Sequence, residues 1–163
     1  MRPRHSLLSE ATDAGFLGGS AVALWFLVRD LLAGHPLRTP SVLGQFFILG
    51  EPHPDVQGTV FAGVVLYTGV HFIVFVLFGL VVAGLVRLAV DQAVARFALL
   101  VLFVAFEFCF YVIVNVVSDE VGAFFPMWTV IVANLLAAVV MAAYFWRQYP
   151  EFRAILRKEP LGA

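Results

Sequence analysis

The sequence predicts an all-α integral membrane protein: a bundle of four transmembrane helices, a short interfacial helix in the first external loop, and both termini in the cytoplasm. Three observations predict this class. Of the 163 residues, 62% are hydrophobic and 13% are charged, whereas soluble domains carry about 25% charged residues. The mean hydropathy is +0.96. Four stretches reach the roughly 20 apolar residues that a helix needs to cross a bilayer, in which only helices satisfy their own backbone groups.

The four predicted spans differ in length and in polar content. The first runs from about Ala14 to Ala33. Because the segment before it is too polar for a cleaved signal peptide, we expect it to remain as an anchor. The second, Thr59 to Val86, would be about 42 Å long at 1.5 Å per residue and must tilt or emerge from the bilayer. The third, Phe97 to Val117, carries Glu107 at its centre, and the fourth runs from Val121 to Phe145.

The first external loop carries two features. Ser41 is the predicted N-cap of an apolar helix that ends near Leu49. This helix is too short to cross the bilayer, so we expect it to lie in the membrane interface. Glu51, His53 and Asp55 then alternate along an acidic segment stiffened by prolines. They are candidates for a metal site, but their spacing matches no known ligand pattern, and a solvated acidic loop is the favoured interpretation.

The distribution of Lys and Arg predicts the orientation. Eight of the ten lie in the N-terminal segment, in the loop between the second and third spans, or in the tail over residues 147–163. Because cytoplasmic flanks are rich in these residues, we expect both termini in the cytoplasm. The chain is then predicted to be one membrane domain over residues 1–163, in a bacterial cytoplasmic (inner) membrane, with a cytoplasmic tail.

Polar residues fall at the middle of three predicted spans. At 1.5 Å per residue, His71, Glu107 and Asn134 lie about 18, 15 and 20 Å from the external ends of their helices. A carboxyl group at that depth is costly, so Glu107 should face the bundle interior and have a partner. We expect the polar faces of the second and third helices to meet. The predicted midplane cluster consists of His71, Glu107, Asn134, Tyr111, Asn115 and Tyr67.

Three interpretations of this cluster compete. The favoured one is structural: Glu107 hydrogen-bonds His71 or Asn134 and fixes the helix packing. The second is a path for protons or ions, for which an intramembrane acid and a histidine are the usual ingredients. The third is a site in which His71 binds the metal of a haem or of a chlorophyll-type pigment, including bacteriochlorophyll. We predict bound lipid and no dedicated cofactor.

Small residues four positions apart predict close helix packing, because such faces let two backbones approach each other. They occur on the first, second and fourth spans. The predicted packing positions are Gly15, Gly19, Ala23, Gly79, Ala83, Ala138 and Ala142.

No nucleophile elbow, phosphate loop or dinucleotide fingerprint occurs, so we do not expect an enzyme. The net charge of −1 offers no basic face for nucleic acid. The leading hypothesis is a non-catalytic accessory or scaffold subunit of a larger membrane complex, photosynthetic or respiratory, whose partners are lipids and other transmembrane subunits. The alternative is a small homo-oligomeric transporter or channel for protons or cations that uses Glu107 and His71. A third hypothesis is a pigment- or haem-binding subunit that uses His71.

Overall fold

The computed structural model describes residues 6–116 and 125–151, which form five helices and no strand. The prediction of an all-helical fold is confirmed for these residues. Three of their helices, α1, α3 and α5, are long and apolar enough to cross a membrane. The predicted turn at 118–120, the start of the fourth predicted span and the tail beyond residue 151 lie outside the described residues. The helices are α1 (Leu7–Leu32), α2 (Arg38–Phe47), α3 (Phe61–Asp91), α4 (Ala93–Val116) and α5 (Met127–Gln148).

The helix α1 begins at Leu7 rather than at Ala14, because the polar residues before Ala14 form a stable helix start. The Ser6 hydroxyl caps the first turn by accepting a hydrogen bond from the backbone N–H of Ser9 at 3.1 Å. Glu10, which lies in the first turn, adds a negative charge where the helix dipole favours one. Residues 7–13 are therefore part of the bundle.

The helix α2 begins at Arg38, before the predicted N-cap, so the prediction of Ser41 as N-cap was wrong. The chain enters α2 through Leu37, which has a left-handed backbone with φ of 66°. Ser41 is instead fully buried inside the helix, and its hydroxyl accepts a hydrogen bond from the backbone N–H of Val60 at 2.9 Å. The Ser41 hydroxyl therefore joins α2 to the start of α3.

The loop predicted between the second and third spans is reduced to Gln92, which has an extended backbone between α3 and α4. Arg87 and Arg96, predicted in this loop, lie inside α3 and α4. Both side chains have hydrogen-bond partners that suit a helical position: Arg87 reaches α1, and the Arg96 Nε donates to the carbonyl of Ala89 at 3.1 Å. The apolar pattern predicted the spans but not how far each helix continues past them.

The packing centres on α1 and α3, which make their most extensive contacts with each other; α1 also packs against α5, α3 packs against α2 and α4, and α4 packs against α5. A side chain at Gly15 would overlap the backbone of Phe75, and one at Gly79 would overlap the carbonyl of Ala11. The backbones of α1 and α3 are therefore in direct contact. Ala14 and Ala83 are fully buried beside this contact.

Two of the predicted packing positions lie on exposed faces of their helices rather than between helices. Ala23 and Ala142 are exposed, and Ala138 is half-buried. The packed face of α5 instead runs through Ala137 and Met141. Several residues on every helix are small enough to pack, so small size alone did not identify which face of α5 meets α1.

Replacing Gly79 with Ala should lower the stability of the bundle by about 2 kcal/mol, since the added methyl group has no space between α1 and α3. Gly69, on the same helix, has no atom within 4 Å of an added Cβ, so Gly69→Ala is the matched control and should leave stability unchanged or slightly higher. Unfolding of the protein in detergent micelles by heat or by SDS measures both. Equal effects of the two substitutions would refute the direct backbone contact.

Candidate functional site

The polar side chains of the described residues form separate groups, found in the middle and at both ends of the bundle. We call the end that carries Glu10 and Arg87 the Glu10 end, and the opposite end, which α2 covers, the α2 end.

The middle of the bundle holds a pair formed by Glu107 and Asn134. The Asn134 Nδ2 donates a hydrogen bond to the Glu107 Oε2 at 3.3 Å, which joins α4 to α5. Asn134 is buried, and Glu107 is half-buried. The Glu107 Oε1 is buried and has no hydrogen-bond partner among the described residues. The side chains of Tyr111 and Asn115 lie outside the described part of the structure.

His71 has a different partner from Glu107. Its Nε2 lies 3.0 Å from the carbonyl oxygen of Gly19, on α1. Because a carbonyl oxygen only accepts hydrogen bonds, the Nε2 of His71 carries a proton and donates it to this contact. The midplane residues therefore form two groups, one between α4 and α5 and one between α1 and α3. The close α1–α3 contact explains this division, since it places the backbone of Gly19 beside His71.

A pocket of about 220 Å³ lies beside His71, between α1, α2 and α3. Tyr67 and Thr68 line the α3 side together with His71, and apolar residues of α1 such as Phe26 line the opposite side. The rings of Tyr67 and His71 are stacked, with their centroids 6.0 Å apart. The pocket thus has one polar wall and one apolar wall. A pigment metal at His71 would need the Nδ1, since the Nε2 already donates to Gly19.

The α2 end is closed by hydrogen bonds between the end of α1 and the start of α2. The two carboxylate oxygens of Asp30 accept from the backbone N–H of Thr39 at 2.6 Å and from its hydroxyl at 2.8 Å. Asp30 and Thr39 are both buried. A buried carboxylate is tolerated when charge-assisted hydrogen bonds compensate its lost hydration, so this pair fixes α2 over the end of α1.

The acidic segment after α2 is also held in place. The Gln45 side chain donates to the Asp55 carbonyl at 3.2 Å and accepts from the Asp55 backbone N–H at 2.9 Å. The Asp55 carboxylate accepts from the backbone N–H groups of Gly58 and Gln57, which hold the pKa of this carboxyl below its usual value. Within residues 6–116 and 125–151, no three His, Cys, Asp or Glu side chains lie close enough together to hold a metal ion, and Glu51, His53 and Asp55 do not form such a group.

The Glu10 end holds a cluster that the sequence analysis missed, formed by Glu10, Arg87 and Tyr149. Glu10 is 4% exposed. Its Oε2 accepts from the Arg87 Nε and lies 3.0 Å from the Arg87 Nη2, and it accepts from the Tyr149 hydroxyl at 2.7 Å. Burial, followed by the hydrogen bond to Glu10, raises the pKa of the Tyr149 phenol. The cluster therefore joins α1, α3 and the end of α5.

Two signals in the sequence point to this cluster. Glu10 lies four residues before Ala14, so a helix that started earlier would place its side chain on the packed face of the first span. Arg87 directly follows the apolar stretch of the second predicted span, at the same end of the bundle. Glu10 and Arg87 carry opposite charges at the same end of two antiparallel helices, which favours an ion pair. They can meet only because α1 and α3 both extend past the predicted apolar spans.

A double-mutant cycle should show that Glu10 and Arg87 are coupled. Arg87→Gln leaves the Glu10 carboxylate buried with the Tyr149 hydroxyl as its remaining partner. We expect the free energy of unfolding to fall by about 2 kcal/mol. This is less than for a fully buried ion pair, because Arg87 is partly exposed. The double variant Glu10→Gln, Arg87→Gln should lose less than the sum of the single variants.

Unfolding of the purified variants in detergent micelles gives the free energy of unfolding of each member of the cycle. The control is Arg147→Gln, an exposed arginine near the same end, which should change stability by less than about 0.5 kcal/mol. Additive effects of the Glu10 and Arg87 substitutions would show that the two side chains do not interact in solution.

Comparison with known proteins assigns no family to this arrangement. No protein-family model, no curated protein and no solved structure matches the chain. Its function is therefore inferred from the geometry of the Glu107–Asn134 pair, the pocket beside His71, and the surfaces that the five helices leave open.

Proposed function

We propose that this chain is a non-catalytic accessory or scaffold subunit of a larger bacterial inner-membrane complex, in which α4 packs against a transmembrane helix of another subunit. The proposed partners are lipids and other transmembrane subunits. A photosynthetic or respiratory assembly stays a prediction from the sequence. The observation that carries the proposal is the outer face of α4.

The helix α4 is the least covered of the long helices. Ala95 is the one buried residue among its described side chains. Large apolar side chains recur along one face at intervals of three and four, and include Val101, Val104 and Phe108. Lipid satisfies such a face, and so does another apolar helix.

Glu107 favours a protein neighbour over lipid. It lies on α4, is only half-buried, and among the described residues its hydrogen-bond partner is Asn134. Ionisable residues within a bilayer are normally enclosed by protein. A helix from another subunit packed on α4 would complete the enclosure of Glu107, which the described residues provide only in part.

The proposal includes a fourth span and a defined orientation. The 24 residues of α4 would reach about 36 Å at 1.5 Å per residue, which is longer than the hydrocarbon core of about 30 Å. With four spans, both termini lie on one side. The excess of Lys and Arg there favours the cytoplasm, and the Glu10 end then faces the anionic inner leaflet.

The α2 end would be the external surface. Gln45 and the Asp30–Thr39 hydrogen bonds hold α2 and the acidic segment in place, so the exposed Glu51 and Asp55 side chains extend from a fixed backbone. A fixed external surface loses little conformational entropy when a partner binds, which suits a subunit of an assembly.

The complex can be tested by blue-native electrophoresis of gently solubilised native membranes that contain the tagged chain. The 17.9 kDa chain should migrate in a much larger assembly. Phe108 is 66% exposed on α4. The variant Phe108→Ala should weaken the contact, so that a fraction of the protein molecules dissociates from the assembly. Phe61→Ala, on a residue of α3 that is 70% exposed, is the matched control and should have no effect.

Migration of the wild-type chain only as a monomer or homodimer would overturn the proposal. Equal release by Phe108→Ala and Phe61→Ala would place the contact on a surface other than α4.

The second candidate function is a homo-oligomeric path for protons or small cations. The observation that favours it is the Glu107 Oε1, which is buried and has no hydrogen-bond partner among the described residues. A carboxyl oxygen in that state can take up a proton or receive a hydrogen bond from a passing water. The path predicted from the sequence included His71. Because His71 donates its hydrogen bond to Gly19, the proposed path uses Glu107 without His71.

Flux through proteoliposomes that contain a pH-sensitive dye tests this second function. Glu107→Gln keeps the size of the side chain and removes its titration, so it should abolish proton flux. Cys109→Ser, two residues further along α4 at an exposed position, is the control and should leave flux unchanged. Equal flux in Glu107→Gln and in the wild-type protein would end this candidate.

A further inference from the structure

We propose that the pocket beside His71 binds a neutral membrane-soluble molecule whose head is a flat ring bearing carbonyl oxygens, the chemistry of a membrane quinone. The proposal concerns binding alone and includes no redox step. It is independent of the partner complex, because the described residues that line the pocket belong to α1, α2, α3 and the turn before α2, and none of them belongs to α4.

The polar wall of the pocket has unused hydrogen-bonding capacity. Among the described residues, neither the Tyr67 hydroxyl nor the Thr68 hydroxyl has a hydrogen-bond partner. Both hydroxyls are donors, and the carbonyl oxygens of a ring are acceptors of the matching kind. His71 lines the same wall and is held in one orientation by Gly19. A hydroxyl without a hydrogen-bond partner in an apolar environment costs free energy. A ligand that accepts a hydrogen bond from it therefore gains affinity.

The size of the pocket matches a ring rather than a whole amphiphile. Its volume is about 220 Å³. A cavity of about 150 Å³ in another protein is large enough to bind benzene, whereas pockets that enclose drug-sized ligands start at about 300 Å³. A substituted six-membered ring therefore fits, and its apolar tail would remain outside.

The charge of the lining favours a neutral head. Neither Lys nor Arg is among the described residues that line the pocket, so a phosphate or carboxylate would find no countercharge there. Asp30 is the acidic residue of the lining, and its two oxygens already accept hydrogen bonds from Thr39. It would repel an anionic head and has little capacity left for a cationic one.

The mouth of the pocket gives access from the membrane. Ala23 on α1 and Thr68 on α3 are both exposed and both line the pocket, so it opens on the outer face of these two helices. Both helices are long and apolar enough to cross a membrane. A lipid-soluble ring would enter sideways from the acyl chains, and its tail would stay among them.

The test uses the full chain in phosphatidylcholine nanodiscs, titrated with a decyl-substituted benzoquinone against empty nanodiscs as the reference. We expect one saturable site per chain. Tyr67→Phe removes one hydroxyl and should weaken binding about fivefold. Ala23→Phe fills the mouth of the pocket and should weaken binding by more than about tenfold. A photoreactive azidoquinone should label peptides from the α1 and α3 walls.

Controls at the other end of the bundle separate binding from general disturbance. Tyr144→Phe and Ala143→Phe make the same changes on α5 near the Glu10 end, and binding should remain at the wild-type level. Thermal unfolding confirms that each variant is folded. If Ala23→Phe does not fold, Ala23→Leu takes its place, and Tyr67→Phe tests the hydrogen bond in either case.

Three outcomes would overturn the proposal. The first is the absence of saturable binding above empty nanodiscs. The second is an equal loss of binding in Ala23→Phe and Ala143→Phe. The third is equal competition by decanol, which has the chain without the ring, together with no effect of Tyr67→Phe; the pocket would then be a site for acyl chains.

Discussion

The direct contact between the backbones of α1 and α3 sets the position of two polar groups of the bundle, one at His71 and one at Glu10. Gly15 and Gly79 remove the side chains that would separate the two helices. As a result the Gly19 carbonyl comes within 3.0 Å of the His71 ring, and at the Glu10 end the Glu10 carboxylate reaches Arg87. A wider separation would leave a buried carbonyl beside an unpaired imidazole, and a buried carboxylate without its cation, each at a cost in free energy.

The helix α1 is fixed at both ends by a buried carboxylate. Glu10 joins its start to α3 and to Tyr149, while Asp30 joins its end to Thr39 at the start of α2. Both carboxylates are satisfied by charged or hydrogen-bonding partners from other helices, so sliding or rotating α1 would expose or unpair them. Among the described residues, α4 has no buried carboxylate of this kind at either end; its hydrogen bonds to other long helices include those from Asn134 to Glu107 and from the Arg96 Nε to the Ala89 carbonyl.

The sequence was sufficient to predict the helices but not their partners. Composition and the length of apolar runs predicted an all-helical chain, because these depend only on local residues. Which residues pair depends on helix rotation and on small shifts along the axis, which a single sequence does not specify. Glu10 was missed because it lies in a polar segment that looked like a tail, although one more helical turn brings it to Arg87. Ser41 has the chemistry of an N-cap but is buried inside α2, since Leu37 takes the left-handed backbone that begins the helix.

The division of the midplane residues also separates the functional hypotheses from one another. A proton path through both His71 and Glu107 would require the His71 ring to leave Gly19, since its Nε2 proton is already donated to that carbonyl. Breaking this bond would leave the His71 Nε2–H without its hydrogen-bond partner between two packed helices, which would cost free energy. Glu107 lies between α4 and α5, next to the exposed side of α4. His71 lies between α1 and α3, next to the pocket. The proposed subunit contact or proton path at Glu107 and the proposed ligand site at His71 therefore depend on different residues, and a substitution in one group should leave the other intact.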